Sequence, residues 1–314
     1  MTTQFEYLQN IFGSQLTLNV PLHRYTTARV GGNAAALLTV QTSDELVKAV
    51  HHLHQIGSPY KVIGEGSNIL FSDAGYDGVI IVNRTCQLSF DLSTPAPLVY
   101  ADAGVNLVTL SRKIAEQGLS GFEWACGIPG TLGGAIYGNA GAHGSGMETV
   151  LESASILHPH GRLEDWPSVR FQYQYRSSIL KTSQSKSIIL SAVLRMEKKE
   201  QNKITSLMGE YTARRKATQP VGASLGSIFK NPPGDYAGRL IEAAGYKGHR
   251  IGGVAVSEKH ANFFIIDNQA SATDIYKLIK LVQNAVKQQS GVTLETEIEL
   301  LGNFTLEQHD DAEN

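Results

Sequence analysis

Residues 127–144 read Gly-Ile-Pro-Gly-Thr-Leu-Gly-Gly-Ala-Ile-Tyr-Gly-Asn-Ala-Gly-Ala-His-Gly, seven glycines in eighteen positions. A backbone this bare reaches positive φ and approaches a ligand closely, because no Cβ stands in the way. The run has no lysine after its glycines, so it is not the Gly-x-x-x-x-Gly-Lys-Ser/Thr loop that holds ATP or GTP. Any phosphate held here rests on backbone N–H groups. A glycine-rich turn that only lets two elements pack closely is the plainer alternative, and the run alone does not exclude it.

A second glycine segment weighs against that plainer reading. Residues 60–63, Tyr-Lys-Val-Ile, predict a short buried strand, and Gly64-Glu65-Gly66-Ser67-Asn68-Ile69-Leu70 follows as a turn. Ile69 stands where a dinucleotide fingerprint needs its third glycine, and no amphipathic helix opens from the turn. A nicotinamide-binding Rossmann loop is therefore excluded here. Two backbone-rich loops without lysine suit a long ligand with a pyrophosphate in its middle, and FAD is such a ligand.

The chain has 314 residues, which predicts two or three domains. Its 42% hydrophobic and 18% charged content is that of a globular protein, and a formal net charge of −2 offers no basic surface for nucleic acid. Residues 1–10 lack the charged and apolar regions of a signal peptide, and no apolar run has the length of a membrane span. Cys86 and Cys126 are too few for a disulfide framework and lack metal-ligand spacing, so the expectation is a cytoplasmic protein without a metal or membrane insertion.

Strand-like and helix-like patterns alternate along the first two thirds. Residues 44–57 carry Leu46, Val47, Val50 and Leu53 at helical spacing, with Thr42 or Ser43 as N-cap and Gly57 as the stop. Residues 78–82 and 98–101 predict strands, 106–118 a helix closed by Gly118, and 153–159, 168–175 and 187–196 further strands. A polar break at 197–203 places a domain boundary near residue 200. Beyond it come helices at 204–216, 236–244 and 272–289 and strands at 261–266 and 292–301, while the acidic end 304–314 predicts a disordered tail. In the last strand Glu295, Glu297 and Glu299 alternate, which puts all three on one face. A solvated sheet face explains that pattern, as a surface loop explains Gly226-Ser227-Ile228-Phe229-Lys230-Asn231 and a strand end explains Arg176.

Taken in order, Thr26-Thr27-Ala28-Arg29-Val30-Gly31-Gly32, Gly64-Glu65-Gly66-Ser67-Asn68, the 127–144 run, Tyr175-Arg176-Ser177-Ser178, the Gly226 to Pro232 segment and Leu294-Glu295-Thr296-Glu297 form one series. The series resembles the UDP-N-acetylenolpyruvoylglucosamine reductase (MurB) family over roughly residues 20–302. The resemblance implies an α+β fold. An N-terminal segment 1–20 would precede a two-part FAD-binding domain of the vanillyl-alcohol-oxidase (PCMH) type over 21–200, in subdomains of about 21–83 and 84–200, and a substrate-binding α+β domain would follow over 201–303.

It also implies non-covalent FAD, NADPH as co-substrate, and reduction of an enolpyruvyl UDP-sugar in peptidoglycan precursor synthesis, by a protein expected to be a monomer. Cofactor contacts fall by motif on Gly64, Glu65, Gly66, Ser67 and Asn68, and on Gly127, Ile128, Pro129, Gly130, Thr131, Gly133, Gly134, Asn139, Ala140 and Gly141. Arg176 corresponds to the cation that meets the developing enolate, Ser227 to the proton donor, and Glu297 to an acidic partner that orients Arg176 or polarises the substrate carboxylate. Tyr175, Lys230, Asn231, His260 and Asn262 fall at substrate-side positions. The 51-residue spacing from Arg176 to Ser227 leaves no room for the tyrosine-bearing loop of one branch, so the chain resembles the shorter second type. Cys126 stands where a smaller residue is usual, and it and His143 are not expected to attach the flavin. Another flavin oxidase or dehydrogenase of the same superfamily is the alternative, and a noncatalytic relative the more distant one.

Overall fold

The computed structural model describes residues 2–183 and 186–305, so all but the first two residues of the expected acidic tail lie outside the described residues. The chain divides into two compact units. The first gathers the residues up to Asn19, Ala36–Glu65 and Gly78–Thr218; the second gathers Val20–Ala35, Gly66–Asp77 and the described chain from Gln219 onward.

In the first unit, the helix Ser43–Gln55 begins where Thr42 accepts from the Glu45 N–H and the Glu45 carboxylate reaches back to the Thr42 N–H. Gly57, at φ +63°, ends the segment in a conformation that a side chain would strain. The buried face Leu46, Ala49, Val50 and Leu53 shares a core with a four-stranded sheet, in spatial order Leu16–Pro21, Asn33–Val40, Tyr76–Asn83, Tyr60–Ile63. A second, antiparallel sheet orders Leu163–Pro167, Leu151–Leu157, Ile188–Arg195, Leu98–Asp102 and Leu88–Asp91. It shares a core with the helices Leu107–Glu116 and Leu132–Gly138.

The helix Gln201–Thr218 also belongs to this unit, so the chain changes unit after Thr218 and not near residue 200. The polar run misleads for a physical reason. Glu197–Lys198 forms a short ladder with Leu119–Ser120, and the following helix, although mostly polar, buries Ile204 and packs on the turn Glu123–Ala125. The run is a solvated surface of one unit and not a linker between two.

The second unit contains the antiparallel sheet Arg250–Ile251, Val254–Val256, Phe264–Ile266. The helix Ala272–Ser290 lays Ile275, Leu278, Ile279, Val282 and Val286 into its core, between a Ser271/Asp274 capping box and Gly291 at φ +73°. Early parts of the chain complete this unit. Ala28, Val30 and Leu70 lie in its core, and Glu299–Leu301 pairs in parallel with Ile69–Phe71. Asp73 accepts from the N–H groups of Ala272 and Thr273 at 2.9 and 2.7 Å, placing a carboxylate at the positive end of the long helix.

Three expected elements differ. Residues 168–175 form a 3-10 turn, Ser168–Phe171, because Pro167 stops the preceding strand and Phe171 turns inward while Arg170 stacks over Trp166. Within the glycine run lies the helix Leu132–Gly138, whose Leu132, Ala135 and Ile136 are buried. Of 292–301 only Glu299–Leu301 is a strand, and Glu295 is exposed while Glu297 and Glu299 are half-buried, so the three glutamates share no solvated face.

Candidate functional site

The two glycine segments meet in the first unit, and a carboxylate joins them. Glu65 accepts from the Gly130 N–H at 3.0 Å and from the Asn106 amide at 2.6 Å, while the other end of that amide caps the helix Leu107–Glu116 through the Thr109 N–H. Residues 130–133 run beside 103–107 through Leu107 N–H to Gly130 C=O, Leu132 N–H to Val105 C=O and Gly133 N–H to Ala103 C=O. At Gly64 a Cβ would lie 2.2 Å from Thr131 Oγ1, and at Gly133 one would lie 2.9 Å from the Ala103 Cβ. These glycines are required by the approach of one loop to the other. Gly64, Gly127, Ile128, Pro129 and Gly134 remain solvent-accessible beside this junction and carry no ionic side chain, while Gly130 and Thr131 are buried within it. A cradle of backbone and small side chains fits the pyrophosphate and ring edge of a dinucleotide such as FAD better than it fits a metal or a free acid. Among the described residues no group of three or more His, Cys, Asp or Glu is placed to hold a metal ion.

The far end of the run does something the sequence did not announce. Asn139, buried and at φ +46°, donates to Glu148 Oε2 at 3.1 Å and to the Gln174 C=O at 3.0 Å, and it accepts from the Glu148 N–H. Gln174 and Ser177 exchange both backbone hydrogen bonds across a tight turn, and Ser178 Oγ donates to the Tyr137 C=O at 2.7 Å. Arg176 sits at φ +54° within that turn, donates to the Gly141 C=O at 2.8 Å and lies over the ring of the exposed Tyr175. A non-glycine residue held at positive φ carries strain that the surrounding bonds offset, as is common at functional positions. Asn139 and Gly141, expected by motif at the cofactor, also support the Arg176 turn, and Ala140 between them accepts from the Met147 N–H.

In the second unit Ser227 lies on an extended segment gripped from both sides. The Ile228 N–H donates to the Asn262 C=O and the Ile228 C=O accepts from the Glu297 N–H, each within 2.9 Å, and Lys230 N–H donates to the Glu295 C=O. The side chain of Asn262, 3% exposed, accepts from the Phe229 N–H at 2.9 Å and donates to the Phe229 C=O at 2.8 Å. It occupies the place of a missing strand neighbour. Ser227 and Glu297 are thereby joined through one backbone bond, and Asn68 of the first glycine segment fixes Glu297 by donating to its C=O at 3.1 Å. The Lys230 ammonium pairs with Glu295 at 3.2 Å, and Asn231 Oδ1 accepts from the Ala237 N–H at the start of the helix Ala237–Ala243.

A cavity of about 440 Å³ opens beside this segment, lined by Ser227, Asn231, His260 and Asn262 together with Tyr236, Arg239, Lys247 and Lys259. His260 accepts from the Asn262 N–H through Nδ1, and burial holds its pKa below the ordinary histidine value. Four of these residues were anticipated. The three cations and Tyr236 were not, since they are scattered over 236–259 and only the fold collects them. Arg239 pairs with Asp235, and Lys247 with Glu242, which also lines the cavity, so these two cations are locally balanced.

A family of FAD binding domains matches residues 34–166, a span that contains both glycine segments. The fold and this match define a flavoprotein with an appended α+β domain. Residues 218–301 match the family described as UDP-N-acetylenolpyruvoylglucosamine reductase, C-terminal domain. Relatives of that name include the Listeria innocua protein, 38% identical over 288 residues covering 91% of this chain and 95% of its own, and the Anoxybacillus flavithermus protein, 39% identical over 285 residues covering 90% and 93%. The crystal structure of the Thermus caldophilus reductase (MurB) superposes with a TM-score of 0.77 at 34% identity, covering 91% of this chain and 98% of that one. The chain belongs to the UDP-N-acetylenolpyruvoylglucosamine reductase family.

Proposed function

We propose that this protein reduces the enolpyruvyl ether of UDP-N-acetylglucosamine to the lactyl ether, giving UDP-N-acetylmuramate for peptidoglycan precursor synthesis, with FAD bound and NADPH as reductant. The observation that carries the reading is Ser227 in the wall of a cavity lined also by Arg239, Lys247 and Lys259, next to Ile228, whose backbone bonds Asn262 and Glu297, in a chain that matches reductases of that name along almost their whole length.

Bound FAD supplies the hydride chemistry, from NADPH to C3 of the enolpyruvyl group. The residues to hold it are Gly64 and the loop 127–134, joined by Glu65. Arg176 meets the negative charge that spreads onto the substrate carboxylate, since a guanidinium stays protonated and donates two parallel N–H bonds. Its turn, fixed by Asn139 and Gly141, sets that geometry before the substrate arrives. Ser227 then delivers its hydroxyl proton to C2. Glu297, positioned by Asn68 and by the Ile228 C=O, acts beside it on the carboxylate. Lys247, Lys259, Arg239 and Asn231 line the cavity that receives the diphosphate of the UDP-sugar.

Among the described residues no helix is long and apolar enough to cross a membrane. The proposal is of a monomeric cytoplasmic enzyme, and size-exclusion chromatography with light scattering tests the monomer. The activity is tested by one anaerobic spectrum. The purified protein should be yellow, bleach with NADPH, and recover its colour on addition of enolpyruvyl-UDP-N-acetylglucosamine without oxygen. Colour that returns only with oxygen would point to an oxidase of the same superfamily and overturn the reading.

A further inference from the structure

The 127–144 run contains no cation of its own, yet the fold brings one to it. Arg215, in the last turn of the helix Gln201–Thr218, crosses Gly127 so closely that a Cβ on that glycine would lie 2.9 Å from Arg215 Cδ and 3.6 Å from Nε. The same helix is anchored to this loop twice more. Cys126 Sγ lies 3.7 Å from the Met208 C=O and 3.6 Å from Thr212 Oγ1, and the His143 ring stacks on Tyr211 at 3.9 Å with planes 2° apart.

The Arg215 guanidinium is half-buried, and among the described residues no carboxylate pairs with it and no acceptor bonds it. Burial lowers its pKa, and burial, followed by Arg214 and Arg215, lowers that of the nearby His143. A cation partly withdrawn from water with no counter-ion is ready to pair with an anion brought by a ligand. Arg215 also lies between the two family-matched segments, 34–166 and 218–301, and in neither.

We infer that Arg215 pairs with the phosphate groups of bound FAD, supplying from the helix the positive charge that the glycine run lacks. The inference rests on the FAD-binding reading above. It explains why the helix Gln201–Thr218 stays with the first unit: it carries a ligand contact as well as a surface. It also explains Gly127, where a methyl group would push the guanidinium stem off the loop.

The test uses the full-length chain stripped of flavin, titrated with FAD and followed by flavin fluorescence at low and high salt, in wild type, Arg215→Met and Arg215→Lys. Methionine keeps the packing against Gly127 and removes the charge. It should weaken FAD binding about 10- to 100-fold and flatten the salt dependence, whereas lysine should recover much of the affinity. The unfolding midpoints of the flavin-free variants should match wild type. Equal weakening by methionine and lysine, or no weakening by either, would overturn the pairing, as would a loss confined to flavin-free stability. Failure of the wild-type chain itself to bind FAD would instead overturn the reading on which the inference rests.

Discussion

Replacing Asn262 by alanine removes two hydrogen bonds in one step, and the structure sets the cost. The Asn262 side chain satisfies both the N–H and the C=O of Phe229, at 2.9 and 2.8 Å, and Phe229 is fully buried. With the amide gone, both backbone groups lie unpaired away from water, and each orphaned group costs about 1–3 kcal/mol. The sum, about 2–6 kcal/mol, is a large share of the stability of any unit this size, and it corresponds to a fall of roughly 5–20 °C in the melting midpoint. Asn262→Asp separates shape from hydrogen bonding: a carboxylate accepts from the Phe229 N–H but faces the Phe229 C=O with no donor, so it should be destabilised comparably. Calorimetry with flavin bound measures both variants, and stopped-flow spectroscopy measures the half-reactions. Reduction of the flavin by NADPH should survive while the substrate half slows, because the segment that loosens carries Ser227. An alanine variant melting within about 1 °C of wild type would show that the amide contributes no stability and that its place in the Ser227 segment is incidental.

Ser227→Ala should retain flavin reduction by NADPH and lose about 10²- to 10⁴-fold in the substrate half-reaction, read by anaerobic stopped flow; equal loss in both halves would sink its assignment as proton donor. Glu65→Ala frees the Gly130 N–H and the Asn106 amide together and should release FAD on dialysis, with about 1–3 kcal/mol lost from the flavin-free protein, whereas Glu65→Gln should keep part of both. His260 has its folded pKa held below the ordinary 6.5 by burial, and its Nδ1 is committed as an acceptor. Below pH 6.5 the unfolded chain therefore takes up the proton first, and stability falls as the pH drops from that value toward the folded pKa. His260→Gln, which accepts but does not titrate, should flatten that part of the urea-midpoint profile between about pH 5 and 8.

Much of the architecture is legible in the sequence where local chemistry and tertiary packing agree. The stripe Leu46, Val50, Leu53 and the Thr42 cap read directly as the helix Ser43–Gln55, and Gly291 stops the helix Ala272–Ser290 as expected. Where the two disagree, pattern misleads. Alternating Phe171 and Tyr173 resembles a strand, yet Pro167 and an inward Phe171 make a turn. Alternating glutamates resemble a solvated strand, yet Leu294 and Ile298 are both buried and pin 294–298 into irregular backbone. Among the candidate residues, what sequence makes readable is nearness along the chain, as of Ser227 and Lys230. The Glu65 bridge, the Asn139 support of Arg176 and the cations Arg239, Lys247 and Lys259 are not readable, because each joins positions that only the fold brings together. Asn262 shows the limit most clearly: an amide at a substrate-side position has both polar ends committed to a neighbouring backbone.

The interleaving of the two units has a consequence for how the chain is made. Val20–Ala35 and Gly66–Asp77 leave the ribosome early, but the strand Glu299–Leu301 that pairs with Ile69–Phe71, and the helix Ala272–Ser290 whose first turn Asp73 caps, emerge about two hundred residues later. Buried groups such as Leu70 and Val30 must stay without their partners while the whole first unit is synthesised. At roughly 5–20 residues per second that interval lasts tens of seconds, long against the folding of the elements themselves. The second unit is thus closed only after the whole first unit has been made, and no fragment starting at Gln219 carries its own complete core.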